Sequence, residues 1–288
     1  MVTLHRTRPV PALLAALALL APVSRGAAAE PPRVELVACA PGSPGTTAEA
    51  QPSMTALAAA LARAAGWPAT RLAATYLPTE KEGLARLGAP PLAVALVPLP
   101  FLVEHGAALG LTPRLVVEQK GMGPTETWSL VAKKGRVAGP ADLAAFTVSS
   151  VAGYAPGFVR GVLGAGWTLP GSTKVVESAL VLSALRKVAT GGDVAVLLDG
   201  PQAAALPGLP FAADLEVVAR SAPLPAAVVA TVGAGLPAAR WAELEKGLLA
   251  LPGSPEGAAV LDAIRMVRFS AVDPKAIESA RRLAGKSR

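Results

Sequence analysis

An α/β fold with largely parallel strands, arranged as two successive units, is the class this sequence predicts. Three observations predict it. Short Val- and Leu-rich runs alternate with Ala/Leu helical patterns from Val34 to about residue 250. The alternation breaks around residues 120–132 and then restarts. Of the 288 residues, about 259 lie beyond the first 29, enough for one large domain or two lobes of about 100 to 150 residues each.

Residues 34–39 read as the opening strand, and Leu57, Leu61 and Ala64/Ala65 recur at helical spacing over 53–65, with Gly66 as the stop. A strand at 71–77 follows. Thr79 and Glu82 stand at capping-box spacing, which predicts a helix that Gly88 ends. The continuous apolar run 91–99 predicts a strand covered on both faces, and 101–108 a short helix. A strand at 114–119, the break "KGMGPTE" and a strand at 127–132 come next.

Beyond "KKGRVAGPADLAAF" the second unit begins: strand 147–150, helix 156–163, strand 174–177, helix 179–189, strand 193–199. Strands at 215–221 and 226–232 flank "APLP", and helices are expected at 238–250, 254–266 and 273–283. Ser254-Pro255 and Asp273-Pro274 each place an N-cap oxygen before a first-turn proline.

The first 29 residues have the form of a cleaved export signal: Arg6 and Arg8, an apolar stretch from Val10 to Val23, and small residues at Ala27–Ala29. That stretch, roughly 14 residues, is shorter than the ~20 needed to span a membrane. Export to the periplasm by the general route is expected, because Thr7 separates the arginines and a twin-arginine signal is not supported. Without this segment the formal charge falls from +7 to +4, with 24 basic and 20 acidic groups. The remaining basic residues are scattered and not interleaved with aromatics, so no nucleic-acid partner is expected.

One cysteine excludes an internal disulfide, and Cys39 with His105 is too small a set for a zinc site, so neither metal nor cofactor is expected. "LVAC" at 36–39 spells a lipoprotein box. It must follow the apolar signal core directly, however, and Glu30, Arg33 and Glu35 intervene. Lipid anchoring at Cys39 is therefore not expected. The same residues fit a strand end, followed by the Gly/Pro-rich loop "APGSPGTT".

"LAVALVPLPFL", "ALRKVATGGDVAVLLDG" and "RSAPLPAAVVA" followed by "LLALPGSPEGAAVLDAIRMVRFSAVD" carry a family likeness. Together they resemble the type II periplasmic solute-binding proteins, in particular the phosphate, phosphite and phosphonate-binding branch of ABC importers. The resemblance runs in order along the mature chain. It implies a two-lobed Venus-flytrap fold with two crossing hinge strands: lobe 1 at 30–125 plus 223–288, lobe 2 at 126–222. It also implies a non-enzymatic, monomeric protein that closes on a small-molecule anion and docks on an ABC permease in the inner membrane. In such a cleft the ligand lies beyond the carboxyl ends of parallel strands, where helix amino termini and their free amides suit anions.

Candidate ligand residues follow from that placement. Ser149, Ser150, Gly153 and Tyr154 close the first strand of the second lobe, where the branch carries anion-binding Ser/Thr and Gly; a plain serine turn is the alternative. Thr125 and Thr127 stand at the first crossing, and Pro98 and Leu99 at the first lobe's rim. Asp199 either points into the cleft or caps the helix beginning at Pro201. Glu177 stands where phosphonate-binding relatives tend to have histidine, and a carboxylate there repels an anion unless protonated or paired. Aromatics make up 4% of the chain, too few for a sugar-stacking platform. Two alternatives remain: a periplasmic sensor or accessory interaction module with the same fold and no transported ligand, and a secreted hydrolase built on Cys39 and His105.

Overall fold

The computed structural model describes residues 33–89 and 93–285, together with Met1. Every element below lies in the unit that begins at residue 32. Residues 2–29 of the expected export signal lie outside the described residues, as do Pro91 and Leu92 of the strand expected at 91–99. Among the described residues no helix is long and apolar enough to cross a membrane.

The first half comprises β1 (Val34–Cys39), α1 (Thr47–Ala64), β2 (Leu72–Leu77), α2 (Glu80–Leu87), β3 (Ala93–Pro98), α3 (Leu99–His105) and β4 (Leu111–Gln119). Then come β5 (Thr125–Glu126), β6 (Ser129–Lys133), β7 (Thr147–Ser150), α4 (Pro156–Gly161), β8 (Lys174–Glu177), α5 (Val181–Ala189), β9 (Val194–Leu198) and α6 (Gly200–Ala205). The chain finishes with β10 (Leu215–Arg220), β11 (Leu224–Pro225), β12 (Ala227–Val232), α7 (Ala238–Ala250), α8 (Pro255–Ala263), β13 (Met266–Ala271) and α9 (Pro274–Gly285). Among the described residues, six strands form one sheet in the order β13-β4-β12-β3-β1-β2 and five form another in the order β10-β6-β9-β7-β8. β5 and β11 pair separately as an antiparallel ribbon.

The all-apolar strands are explained by cores on both faces. Leu36 and Ala38 of β1, with Val94 and Leu96 of β3, pack beneath α1, α7 and α8. The alternate residues Val37, Cys39, Ala95 and Val97 face the other way, into a core that also contains Leu130, Val148, Ala195 and Leu197 of the second sheet. In that sheet Val131, Val196 and Leu198 point to a third core under α5. Period-2 alternation thus splits each strand between two cores.

Three expectations are corrected. α1 begins at Thr47 rather than Ser53, because Thr46 and Glu49 close its first turn reciprocally: Glu49 N donates to Thr46 Oγ1 (3.2 Å), and Thr46 N donates to Glu49 Oε2 (2.8 Å). Pro52 is accommodated inside that helix. The helix expected to reach Met266 ends at Ala263; Arg265 turns the chain at φ 59°, and Met266–Ala271 becomes an edge strand antiparallel to β4. With β12 also antiparallel to both its neighbours, the first sheet is mixed rather than largely parallel.

Gly83 in α2 packs on the end of β1, where an added Cβ would fall 2.1 Å from Cys39 Sγ. An alanine in a helix ordinarily gains about 1 kcal/mol over glycine, whereas overpacking costs about 1–3 kcal/mol. Gly83→Ala is therefore expected to lower the urea midpoint in the native sequence and to raise it in a Cys39→Ala background. Additive effects of the two substitutions would show that the contact does not govern this packing.

Candidate functional site

Beyond the carboxyl ends of β1, β3, β7 and β9, where the sequence places the ligand, the two lobes meet. Gly42, at φ 78°, brings the loop after β1 against the turn after β7; an added Cβ would lie 2.9 Å from Val151 Cβ and 3.0 Å from Val151 O. Phe101 is fully buried, with ring centroids 6.5 Å from Tyr154 and 5.0 Å from His105. Leu99, Ala152 and Ala155 are buried in the same cluster. This seam is apolar at its centre and acidic around it. Partial desolvation, and then the charge of Glu80, raises the Glu177 carboxyl; burial, followed by Cys39, Glu177, Glu80 and Glu104, raises the Tyr154 hydroxyl well above its ordinary value.

At these strand ends the chain's own groups engage part of each helix start. Glu49 supplies the carboxylate at the start of α1, and Glu82 N donates to the capping Thr79 Oγ1 at the start of α2. α3 opens on Leu99-Pro100, with Leu99 N donating to Ala226 O at 3.0 Å, and α4 opens on Pro156, which has no N–H. Each of these contacts engages or removes one amide of the helix start.

The predicted residues are distributed between this seam and the crossing. Ser149 and Ser150 are buried at the end of β7. Ser150 Oγ donates to Leu197 O (2.9 Å) and accepts from Ala152 N (3.2 Å), so its hydroxyl is engaged inside the lobe. Gly153 lies against the β8 backbone, where a Cβ would be 2.2 Å from Glu177 N. Pro98 precedes α3 at the rim, and Glu177 is exposed at the end of β8. Asp199 caps α6: its Oδ1 accepts from Gln202 N (2.9 Å), and Gln202 Oε1 accepts from Asp199 N (3.3 Å).

Thr125 and Thr127 are brought together at a cavity of about 460 Å³ beside the crossing strands. The crossing is firmly tied. Leu224 and Pro225 pair with Glu126 and Thr125, Trp128 N donates to Ser221 Oγ (2.9 Å), and Ser221 N donates to Trp128 O (2.9 Å). Ser129 adds a third hydroxyl to the cavity wall. Across from it in register is Arg220, the last residue of β10, which also lines the cavity and is exposed. Arg220 makes no ion pair among the described residues.

Glu126, 8% exposed, completes this wall, and its Oε2 accepts from Gly200 N at 3.0 Å. Burial pushes its carboxyl up to about 7; the Gly200 amide opposes this, the charge of Asp199 adds to it, and the nearby Trp128 indole slightly favours ionisation. Trp128 Nε1 is itself buried without a hydrogen bond of ordinary geometry. Burial raises Asp199 as well, opposed by the Gln202 amide. Arg220 and Glu126 were missed by sequence reasoning. The signals were faint: a lone acid between two threonines in "TETW", and an arginine ending the strand "LEVVAR".

The Cys39 and His105 pair does not form a nucleophilic site. Burial, then the charges of Glu80 and Glu82, pushes the thiol up to about 12, and Sγ donates to Thr79 O at 3.7 Å. A nucleophilic thiol needs the opposite shift. His105 Nε2 lies 2.6 Å from Glu80 Oε1, its ring engaged away from the sulfur.

Because the Glu126 carboxyl rises from its ordinary 4.5 to about 7 on folding, its contribution to stability is complete below about pH 4.5. It is withdrawn as pH rises through about 7, a loss of about 3 kcal/mol. Glu126→Gln keeps an acceptor for Gly200 N, so the variant should gain stability relative to the native protein between pH 5 and pH 8, measured by urea unfolding across that range. A constant difference across those pH values would count against a carboxyl strained by burial.

No protein-family model and no curated protein sequence matches the chain. Among solved structures, XAC2383 from Xanthomonas citri bound to chloride ion is similar at TM-score 0.70 and 17% identity, covering 88% of this chain and 98% of that one. PA3383, a binding protein component of an ABC phosphonate transporter from Pseudomonas aeruginosa, is similar at TM-score 0.62 and 13% identity, covering 88% and 85%. PhnD1 from Prochlorococcus marinus in complex with methylphosphonate follows at TM-score 0.55 and 14% identity, covering 88% and 98%. With two sheets joined through the β5–β11 crossing, the chain has the two-lobed Venus-flytrap fold of the type II periplasmic solute-binding proteins.

Proposed function

We propose that the protein is an exported periplasmic solute-binding protein of an ABC importer that holds a small, anion-bearing solute in the cavity at the crossing strands. Arg220 carries this reading: it lines the cavity, it makes no ion pair among the described residues, and three hydroxyl-bearing residues, Thr125, Thr127 and Ser129, share the wall. A guanidinium offers a planar fork of donors that matches a carboxylate or phosphonate. In this reading lobe 1 (30–125 plus 223–288) and lobe 2 (126–222) move about the β5–β11 ribbon. Ser149, Ser150, Gly153, Tyr154, Pro98, Leu99 and Glu177 build the closing seam, while Asp199 fixes α6 beside the cavity. The likeness to a phosphonate transporter's binding component supports the transport role.

A second reading, a sensor or accessory interaction module with no transported solute, is favoured by the Gly42–Val151 packing that closes the strand ends. Thermal-shift measurement of the exported protein against acetate, lactate, phosphate, sulfate, methylphosphonate and amino acids separates the two. A solute at 100 times its Kd adds about 2.7 kcal/mol, a rise of about 5 °C or more for a chain of this size. Arg220→Ala should abolish that rise without changing the melting temperature of the free protein. Failure of every solute to shift the transition would leave the interaction module as the function.

A further inference from the structure

We propose that the solute is a small amino acid with an aliphatic side chain, held across the crossing cavity with its carboxylate on Arg220 and its ammonium on Glu126. The proposal rests on the reading of this cavity as the ligand site. Arg220 and Glu126 line the same space of about 460 Å³, yet they form no ion pair with each other. The volume falls within the range of small-molecule sites.

Each charge lacks what the other end of a zwitterion supplies. Glu126 is buried and forms no ion pair among the described residues, its Oε2 accepts from the neutral Gly200 amide, and the neighbouring carboxyl of Asp199 makes its ionisation harder. A solute bearing only a carboxylate would satisfy Arg220 and set a second negative charge beside Glu126. A solute bearing only an ammonium would leave Arg220 unmatched. An amino acid carries both charges on adjacent groups, which leaves its side chain directed elsewhere. The rest of the lining suits that side chain: Met122, Leu206, Pro207 and Val217 are apolar, and apolar contact of this kind favours burial of an aliphatic group. Removing one partner of a buried charge-assisted hydrogen bond costs tenfold or more in affinity, so the two ends can be tested separately.

Titration calorimetry with L-alanine, L-valine and L-leucine, their deaminated acids (4-methylpentanoate for leucine) and their decarboxylated amines provides that test. The expected result is binding of at least one amino acid, with its deaminated acid and its amine each about tenfold weaker or worse. Glu126→Gln should weaken the amino acid by about tenfold and leave the deaminated acid bound as tightly as before or tighter, because the like charge beside it is gone. Arg220→Ala should weaken both acids and leave the amine unchanged. Circular dichroism melts of the two variants establish that each remains folded. A deaminated acid or methylphosphonate that binds as tightly as the amino acid overturns the zwitterion and leaves the anion reading standing. No heat from any probe, together with no thermal shift from any anion, overturns both.

Discussion

The contact between the loop after β1 and the turn after β7 is the constraint on which the rest of the molecule depends. Gly42 admits Val151 because it has no side chain, and its positive φ turns the loop so that the two backbones approach. Around that point Phe101, Ala152, Ala155 and Phe158 form one core with strands of both sheets, and Ile277 and Ala280 of α9 belong to it as well. The lobes are thus joined by shared apolar burial and not by the crossing strands alone. Opening them exposes this surface to water, an unfavourable step that any ligand-driven motion must offset.

The crossing is the second tie and has a different physical character. There the polar groups converge: Trp128 and Ser221 exchange two hydrogen bonds, and Glu126 reaches the first amide of α6. The carboxyls of Glu126 and Asp199 are both largely removed from water, which raises both and disfavours their ionisation. Arg220 is the cationic residue among those lining the same cavity. Apolar packing at the strand ends is thus separate from the polar groups at the crossing.

The alternating order of strands and helices was legible because each element carries its own local pattern. β7, β8 and α7 begin and end where the apolar runs and N-terminal prolines indicate. The early start of α1 was obscured by Pro52, which locally reads as a break although Thr46 and Glu49 cap the helix six residues upstream. β13 was obscured because an edge strand with exposed Val267 and Arg268 lacks the alternation of a half-buried one, and pairing with β4 is a long-range event. Of the cavity's lining, Thr125 and Thr127 were legible as residues of the crossing. Arg220 lies 93 residues beyond Thr127 in numbering, and the antiparallel register of β6 with β10 brings it to the same wall.

By itself the sequence determined the two α/β units, the place where the chain crosses between them, and the burial of Cys39 at a strand end, since these follow from residue type and local periodicity. Tertiary structure alone decided that the loop after β1 packs on the turn after β7, that Leu99 N at the start of α3 meets Ala226 O, and that Arg220 and Glu126 share a cavity. Each of these depends on which distant segments pack together. Packing distances at Gly42 and register across β6 and β10 set them, and neither quantity is encoded in a local pattern.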